Sequence, residues 1–274
     1  MTGIFVFIAA VFGLIFGSFL NVCIYRLPRD LSIVAPRSFC PSCQRQIRWY
    51  DNLPLLSYLL LGGRCRACKA LIGWRYPIVE VMTAALFART IVQFGLTTAA
   101  LKWAVFGCLM VILVWTDAET RLLPDELTLG GIVVGLGFSL FVPLFDGPAA
   151  LLAPRAGTLG VSLMNSAIAA FLLSVPFAAF AYAYTRLRGI IPPGWGDVKL
   201  LAMLGTFLGL GQGILAMMLG ALGGAILGGG YILVRKKDPR THALPLGTFL
   251  CIGGVVAAFW GPRIIQWWQR LNGY

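Results

Sequence analysis

The sequence predicts an all-α polytopic membrane protein of about eight transmembrane helices, with one small polar module between the first and second. Three observations carry this. Of 274 residues, 59% are hydrophobic and only 12% charged, against roughly 25% in a soluble domain. Mean hydropathy is +0.85. Apolar stretches recur at roughly 3–25, 77–95, 100–116, 127–145, 161–185, 198–209, 212–234 and 244–262, and most reach the ~17–25 residues that a spanning helix requires.

The first stretch has no basic region ahead of it and no small-residue cleavage site behind it, so it is expected to stay as a span over 1–26 rather than act as a signal peptide. Within it, Gly13 and Gly17 have the spacing that lets helix backbones approach closely, as do Gly220, Gly224 and Gly228 further on. Ser18, Asn21 and Tyr25 share one face and are expected to turn inward. Of the later stretches, 198–209 is short and is expected either to merge with its neighbour or to span obliquely, which gives seven or eight helices with eight preferred. The stretch at 146–160 reads as a Pro/Gly-rich outer connector.

Lys and Arg set the orientation. With eight spans and the N-terminus outside, 17 basic residues fall inside, nine of them between Arg26 and Arg75, and five outside. This asymmetry accounts for the net charge of +12 without any nucleic acid as partner.

The polar module, 27–76, holds Cys40–Pro–Ser–Cys43 and Cys65–Arg–Ala–Cys68, with 21 residues between the pairs. Two CxxC knuckles at that separation supply four thiolates for a tetrahedral Zn²⁺ site. Disulfides need an oxidising compartment, whereas the charge count puts this loop in the cytosol. A site closed by four sulfurs has no position for water, so the zinc is expected to be structural. Cys23, Cys108 and Cys251 lie singly in apolar stretches and read as small buried hydrophobes.

Ten acidic residues exist. Asp30, Asp51, Asp146 and Asp238 lie in loops and read as solvated, whereas Glu80 is either a helix-start charge or a buried partner for an arginine. Asp125 and Glu126 follow Pro124 at a helix start, where they complement the dipole. Asp117 instead ends an apolar helix, where the dipole opposes a negative charge. Asp197, 80 residues on, stands at the entrance of another apolar run, with Gly194 and Gly196 before it and Lys199 after it. In this topology both aspartates lie at the cytosolic membrane edge. Two close carboxyls share a proton, one holding it while the other activates water, as aspartyl peptide hydrolysis requires. Glycines before Asp197 admit either a substrate backbone or a tight turn. The only histidine, His242, sits in a short basic loop at 235–243, so no Ser–His–Asp arrangement competes.

These motifs resemble a known family. "FGSFLNVCIYRLP" at 16–28, the four-cysteine frame enclosing "DNLPLLSY", "RYPIVE" at 75–80, Asp117 with "LPD" ending at Asp125, and "GWGDVK" at 194–199 are together similar to the type IV prepilin peptidases. The resemblance covers the N-terminal third almost continuously and returns at both aspartates. It implies a multi-pass protein of the bacterial inner membrane with a peptidase domain over 77–274, the catalytic pair falling on Asp117 and Asp197. The implied substrate is a prepilin or pseudopilin with a short basic leader, cut on the cytosolic side after a glycine. It also implies N-methylation of the new N-terminus, often phenylalanine, with S-adenosylmethionine as donor. No Rossmann-type cofactor loop is readable, so that activity rests on the resemblance alone, and a peptidase without it stays open. Two features depart from the family pattern: "HALPLGTFL" at 242–250 and a longer fourth-to-fifth connection.

The segment from Arg26 to Arg75 carries nine basic residues against two aspartates, and would repel a basic leader. Its charge fits topology and anionic lipids instead. Leader recognition then falls to Glu119, Asp125 and Glu126, and Gly194, Gly196 and Lys199 beside Asp197 are also expected to meet the substrate. A transporter or scaffold is the contrasting reading, but transporters place ionisable groups near the midplane, and this chain places them at the edge.

Overall fold

Nearly every apolar stretch becomes helix. The computed structural model describes residues 2–153, 157–188, 194–234 and 245–271; His242 with its basic loop at 235–243, and the prolines ahead of Gly194, lie outside the described residues. The helices are α1 (Thr2–Arg26), α2 (Leu56–Leu60), α3 (Arg75–Phe94), α4 (Thr98–Thr120), α5 (Asp125–Ser139), α6 (Ala149–Leu152), α7 (Thr158–Arg188), α8 (Trp195–Gly223), α9 (Gly229–Val234) and α10 (Leu246–Leu271). Among the described residues, β pairing is confined to two isolated bridges.

Among the described residues, six helical runs are long and apolar enough to cross a membrane. Two features separate this number from the eight apolar stretches. The stretch at 127–145 is helical only to Ser139, and the 15 residues of α5 rise about 22 Å. The stretches at 198–209 and 212–234 form one continuous run, α8 through α9, joined by a widened turn at Gly224–Gly228.

That run folds back on itself at Gly209, whose φ of 77° and ψ of −177° are open almost only to glycine. Its neighbours on α7 show the reversal. Ser166 Oγ donates to Thr206 O (2.9 Å), and a Cβ on Gly205 would meet the Ala169–Ala170 backbone at 2.6 Å. A straight helix would carry Gly213 about 10 Å further, toward the start of α7. Gly213 instead lies against Leu173, so the chain has turned back along α7. At the bend, Asp146 Oδ2 accepts the Gly211 N–H (3.0 Å). The acid expected to be solvated thus satisfies an orphan donor at the start of the returning helix.

The 140–153 connection is also more ordered than a bare connector. Ser162 Oγ accepts from Leu144 N and donates to Ser139 O, while Asn165 bridges Leu144 O and Ala149 N. Phe141, Phe145, Leu151 and Leu152 face outward from it.

The chain divides into two compact units, Met1–Ile112 and Leu113–Tyr274, with α4 running through the boundary. By composition the division fell at 76/77; by packing, α3 belongs with α1. In the first unit they run antiparallel. A Cβ on Gly13 would lie 2.6 Å from Ala84 Cα, and one on Gly17 2.6 Å from Glu80 Cα, as the glycine spacing predicts. In the second unit α8 is the hub for α5, α7 and α10. Gly220 faces Leu250, and Gly253 meets the backbone of Ala216 and Gly220. Cys23 and Cys251 are buried as expected, and Cys108 is half-buried.

Candidate active site and metal centre

Arg121, with φ of 56°, closes the end of α4, and its N–H returns to Asp117 O (2.9 Å). Asp117 therefore projects from the last full turn of an apolar helix and is 5% exposed. The opposing dipole is answered by a second helix. Thr248, in the first turn of α10, donates both its N–H (2.6 Å) and its hydroxyl (2.8 Å) to Asp117 Oδ2. An orphan donor at a helix start is thereby satisfied by a carboxylate placed at its positive end. The same hydroxyl is 3.3 Å from Val114 O. A second carboxyl was the only compensation expected for Asp117; Thr248 is the part that sequence reasoning missed. Because Thr248 is 131 residues away, no local pattern signals it.

Asp197 lies in the first turn of α8, where an acid is favoured, and its N–H returns to Gly194 O (2.9 Å). It is near enough to Asp117 for the two charges to interact. The two aspartates thus meet at one end of the second unit, at the C-terminus of α4 and the N-terminus of α8.

The two glycines before Asp197 differ in what they permit. A Cβ on Gly196 would press on Leu123 Cβ at 3.0 Å, so this glycine lets α8 approach the chain that leads into α5. Gly194 has an ordinary φ of −58°, and among the described residues a Cβ there would make only ordinary contacts, with Gly196 N at 3.8 Å and Asp197 Oδ2 at 3.9 Å. Its missing side chain leaves the place of that Cβ open beside the Asp197 carboxyl. Gly247 completes the ring: a Cβ there would lie 3.1 Å from the Asp117 carboxyl and 3.0 Å from Leu123.

Of the other acids, Asp125 is held by Lys199, whose Nζ lies 2.6 and 2.7 Å from its two oxygens. The two were expected to meet substrate separately; they meet each other, tying the start of α5 to the first turn of α8. Glu119 and Glu126 are exposed.

In the first unit the cysteines close into one cluster, with all four Sγ within 4.8 Å of one another. Cys40 Sγ and Cys68 Sγ are 3.8 Å apart. A tetrahedron with Zn–S bonds of 2.3 Å has edges of about 3.8 Å, so the cluster fits such an ion with little contraction. The two knuckles, 25 residues apart, repeat each other in backbone as well as in sequence. Cys40 N bonds Arg45 O and Gln44 N bonds Cys40 O; Cys65 N bonds Ala70 O and Lys69 N bonds Cys65 O. Gln44 and Lys69 take the same positive φ. The N–H groups of Cys68 and Ala67 point at Cys65 and pull its thiol down to about 6, toward the thiolate that a metal requires.

Asp51, expected to be solvated, makes a forked ion pair with Arg66 (2.7 Å), and the guanidinium holds its carboxyl below the usual range. Arg26 is buried and donates to Ser32 O and Pro36 O (both 2.7 Å), pinning the first loop. Glu80 is buried as well. Its partners are the Leu55 N–H (2.8 Å) and the Ser18 hydroxyl rather than an arginine.

Comparison with known proteins agrees with the motif resemblance. Residues 11–94 match the bacterial Peptidase A24 N-terminal domain, and residues 104–229 the type IV leader peptidase family. A prepilin leader peptidase/N-methyltransferase of Aeromonas salmonicida (strain A449) is 36% identical, covering 94% of this chain and 91% of its own length. Proteins of the same name from Pseudomonas aeruginosa and Burkholderia pseudomallei (strain 1026b) are 35% and 37% identical, covering 98% and 95% of this chain and 95% and 87% of their own lengths. No solved structure matches the chain.

Proposed function

The chain belongs to the type IV leader peptidase family, aspartic peptidases of the bacterial inner membrane, and on that premise we propose that Asp117 and Asp197 are its catalytic pair. One observation carries this reading: helices far apart in sequence deliver these two carboxyls to the same end of one unit, with Asp117 oriented by Thr248. One carboxyl holds a proton and polarises the scissile carbonyl, while the other takes a proton from the attacking water. Thr248 occupies Oδ2 of Asp117, which leaves Oδ1 for that work. The opening beside Gly194 is where the substrate backbone reaches Asp197.

The substrate is a prepilin or pseudopilin, cut after a glycine on the cytosolic side. Eight crossings with the N-terminus outside support that side, counting α5 and the two arms of α8–α9 as separate crossings. Charge asymmetry then puts the aspartates and the cysteine module in the cytosol. The basic leader is met by Glu119, Asp125 and Glu126, of which Asp125 also holds Lys199. The module takes one structural Zn²⁺ through Cys40, Cys43, Cys65 and Cys68. Its arginines and its exposed Trp49, Leu59, Leu60 and Trp74 suit an anionic lipid surface.

The second activity is N-methylation of the new N-terminus with S-adenosylmethionine, which the relatives' name supports. The deciding experiment incubates wild type, Asp117→Asn and Asp197→Asn with purified prepilin, and separately with cleaved, unmethylated pilin and labelled S-adenosylmethionine. Both variants should fail to cleave and should still transfer label. Cleavage by either variant would unseat the pair, and wild type that cleaves without transferring label would mark a peptidase alone.

A further inference from the structure

A cavity of about 630 Å³ in the first unit opens between the C-terminal end of α1, the N-terminal end of α3 and the cysteine knuckles. Its size is within the ~300–1,000 Å³ of small-ligand pockets. Two acceptors on its wall have unused capacity. Asn21 is 2% exposed, and its Nδ2 donates to Gly17 O (3.3 Å) and Tyr76 O (3.1 Å). Those two carbonyls fix which way the amide faces, and its buried Oδ1 is left with no donor. One helical turn away along the same wall is Glu80, 7% exposed. Leu55 N–H and the Ser18 hydroxyl use two of the roughly four acceptor positions a carboxylate offers. A buried carboxylate without a cation, next to an amide oxygen without a donor, is costly unless something positively charged and rich in N–H completes it.

We propose that this cavity binds the α-ammonium group at the N-terminus of the cleaved pilin, with Asn21 Oδ1 and the Glu80 carboxylate as its acceptors. The inference rests on the methyltransferase reading above and gives that activity its place in the chain. A primary ammonium has three donors, enough for both acceptors and one more wall group. It cannot be methylated while protonated. Glu80 takes one proton and frees the nitrogen lone pair. The amine then attacks the methyl carbon of the sulfonium donor, an N–C bond forming as the C–S bond breaks. The electron pair of that bond stays on sulfur, which leaves as a neutral thioether, and the positive charge passes to the methylated nitrogen. Glu80 returns its proton to solvent. Asn21 lacks a proton-accepting role and acts by orienting the nitrogen.

The test measures binding of a mature-pilin N-terminal peptide and its N-acetylated form to full-length wild type, Glu80→Gln and Asn21→Leu in detergent. Binding of S-adenosylhomocysteine is measured in parallel, with zinc content and prepilin cleavage as controls on folding. Glu80→Gln keeps an acceptor for Leu55 and Ser18, so the fold is retained. Wild type should prefer the free amine by roughly tenfold to a hundredfold, the range expected for a charge-assisted hydrogen bond. Glu80→Gln should lose that preference and the methyl transfer together, while S-adenosylhomocysteine binds as before. If wild type methylates and Glu80→Gln keeps both preference and rate, the inference fails and the activity stands. If Glu80→Gln weakens S-adenosylhomocysteine but not the free-amine peptide, the acceptors serve the donor's own ammonium and the proposal is overturned. Wild type with no methyl transfer at all would remove the reading beneath it.

Discussion

Thr248 gives Asp117 two hydrogen bonds on one oxygen, from the first turn of α10 to the last turn of α4. A carboxyl held in this way has a fixed plane, and as a member of the proposed pair it has one oxygen left for chemistry. Thr248→Val keeps the backbone N–H and the side-chain shape but removes the hydroxyl. It should lower kcat for prepilin cleavage by roughly tenfold to a hundredfold, the worth of a hydrogen bond to a charged group. Thr248→Ser should restore most of the rate. A Thr248→Val enzyme of wild-type rate would show that the N–H alone orients Asp117.

Asp125 tests the opposite case. Its pairing with Lys199 is substantially exposed, and such pairs contribute about 0–1 kcal/mol. Asp125→Asn should shift Tm slightly and leave cleavage within a few-fold of wild type, whereas Asp117→Asn and Asp197→Asn abolish it. A dead Asp125→Asn beside an active Asp117→Asn would reassign the pair.

Gly194 and Gly196 should respond differently to alanine. Gly196→Ala pushes a Cβ onto Leu123 and should cost about 1–3 kcal/mol, as overpacking does. Leu123→Ala should recover part of that loss. Gly194→Ala makes only ordinary contacts with the described residues, Asp197 Oδ2 among them, so Tm should hold while KM for prepilin rises. Equal thermal losses in both variants would contradict this division.

Gly209 should tolerate no side chain. Its φ of 77° with ψ of −177° costs other residues about 1–3 kcal/mol, so Gly209→Ala should lower Tm by that equivalent. Asp146→Ala, which leaves the Gly211 N–H without its acceptor, should act in the same direction. Thermal melts of the two variants in one detergent make the comparison.

Purified protein should hold about one zinc per chain, and Cys40→Ser or a strong chelator should remove it. Since metal binding and folding are coupled in so small a module, its protease resistance should fall together with methyl transfer. Cleavage, which the proposed pair assigns to the second unit, should outlast both. Freshly reduced protein without zinc by metal analysis would falsify the assignment.

What was legible in the sequence follows the range of the interactions. The cysteine cluster could be read because each knuckle closes within a few residues and the spacing states the coordination. Gly13 and Gly17 could be read because small residues at spacing four have one main use in an apolar helix. Asp117 was legible as an anomaly, since its dipole environment is local, but its answer in Thr248 depends on which helix start arrives there. The Asp125–Lys199 pair was hidden for the same reason, as was the Glu80 environment, which is set by a loop 25 residues earlier. The division between the stretches at 198–209 and 212–234 could be drawn from hydropathy, but the reversal there could not: Gly209 changes direction without changing polarity.

The brevity of α5 has a further consequence for the lipid around it. A helix of about 22 Å stands against a hydrocarbon core of about 30 Å, and beyond Ser139 the wall continues through outward-facing Phe141, Phe145, Leu151 and Leu152. With α5 as one of the proposed crossings, the bilayer on that flank must thin, or the loop must sink into the adjoining leaflet until its apolar side chains are covered. Either response is an elastic load on the helices that carry Asp117 and Asp197. Acyl-chain length thereby becomes a variable of the enzyme itself: cleavage in vesicles of short-chain lipids should exceed that in long-chain ones at equal substrate density, a dependence that detergent micelles would conceal.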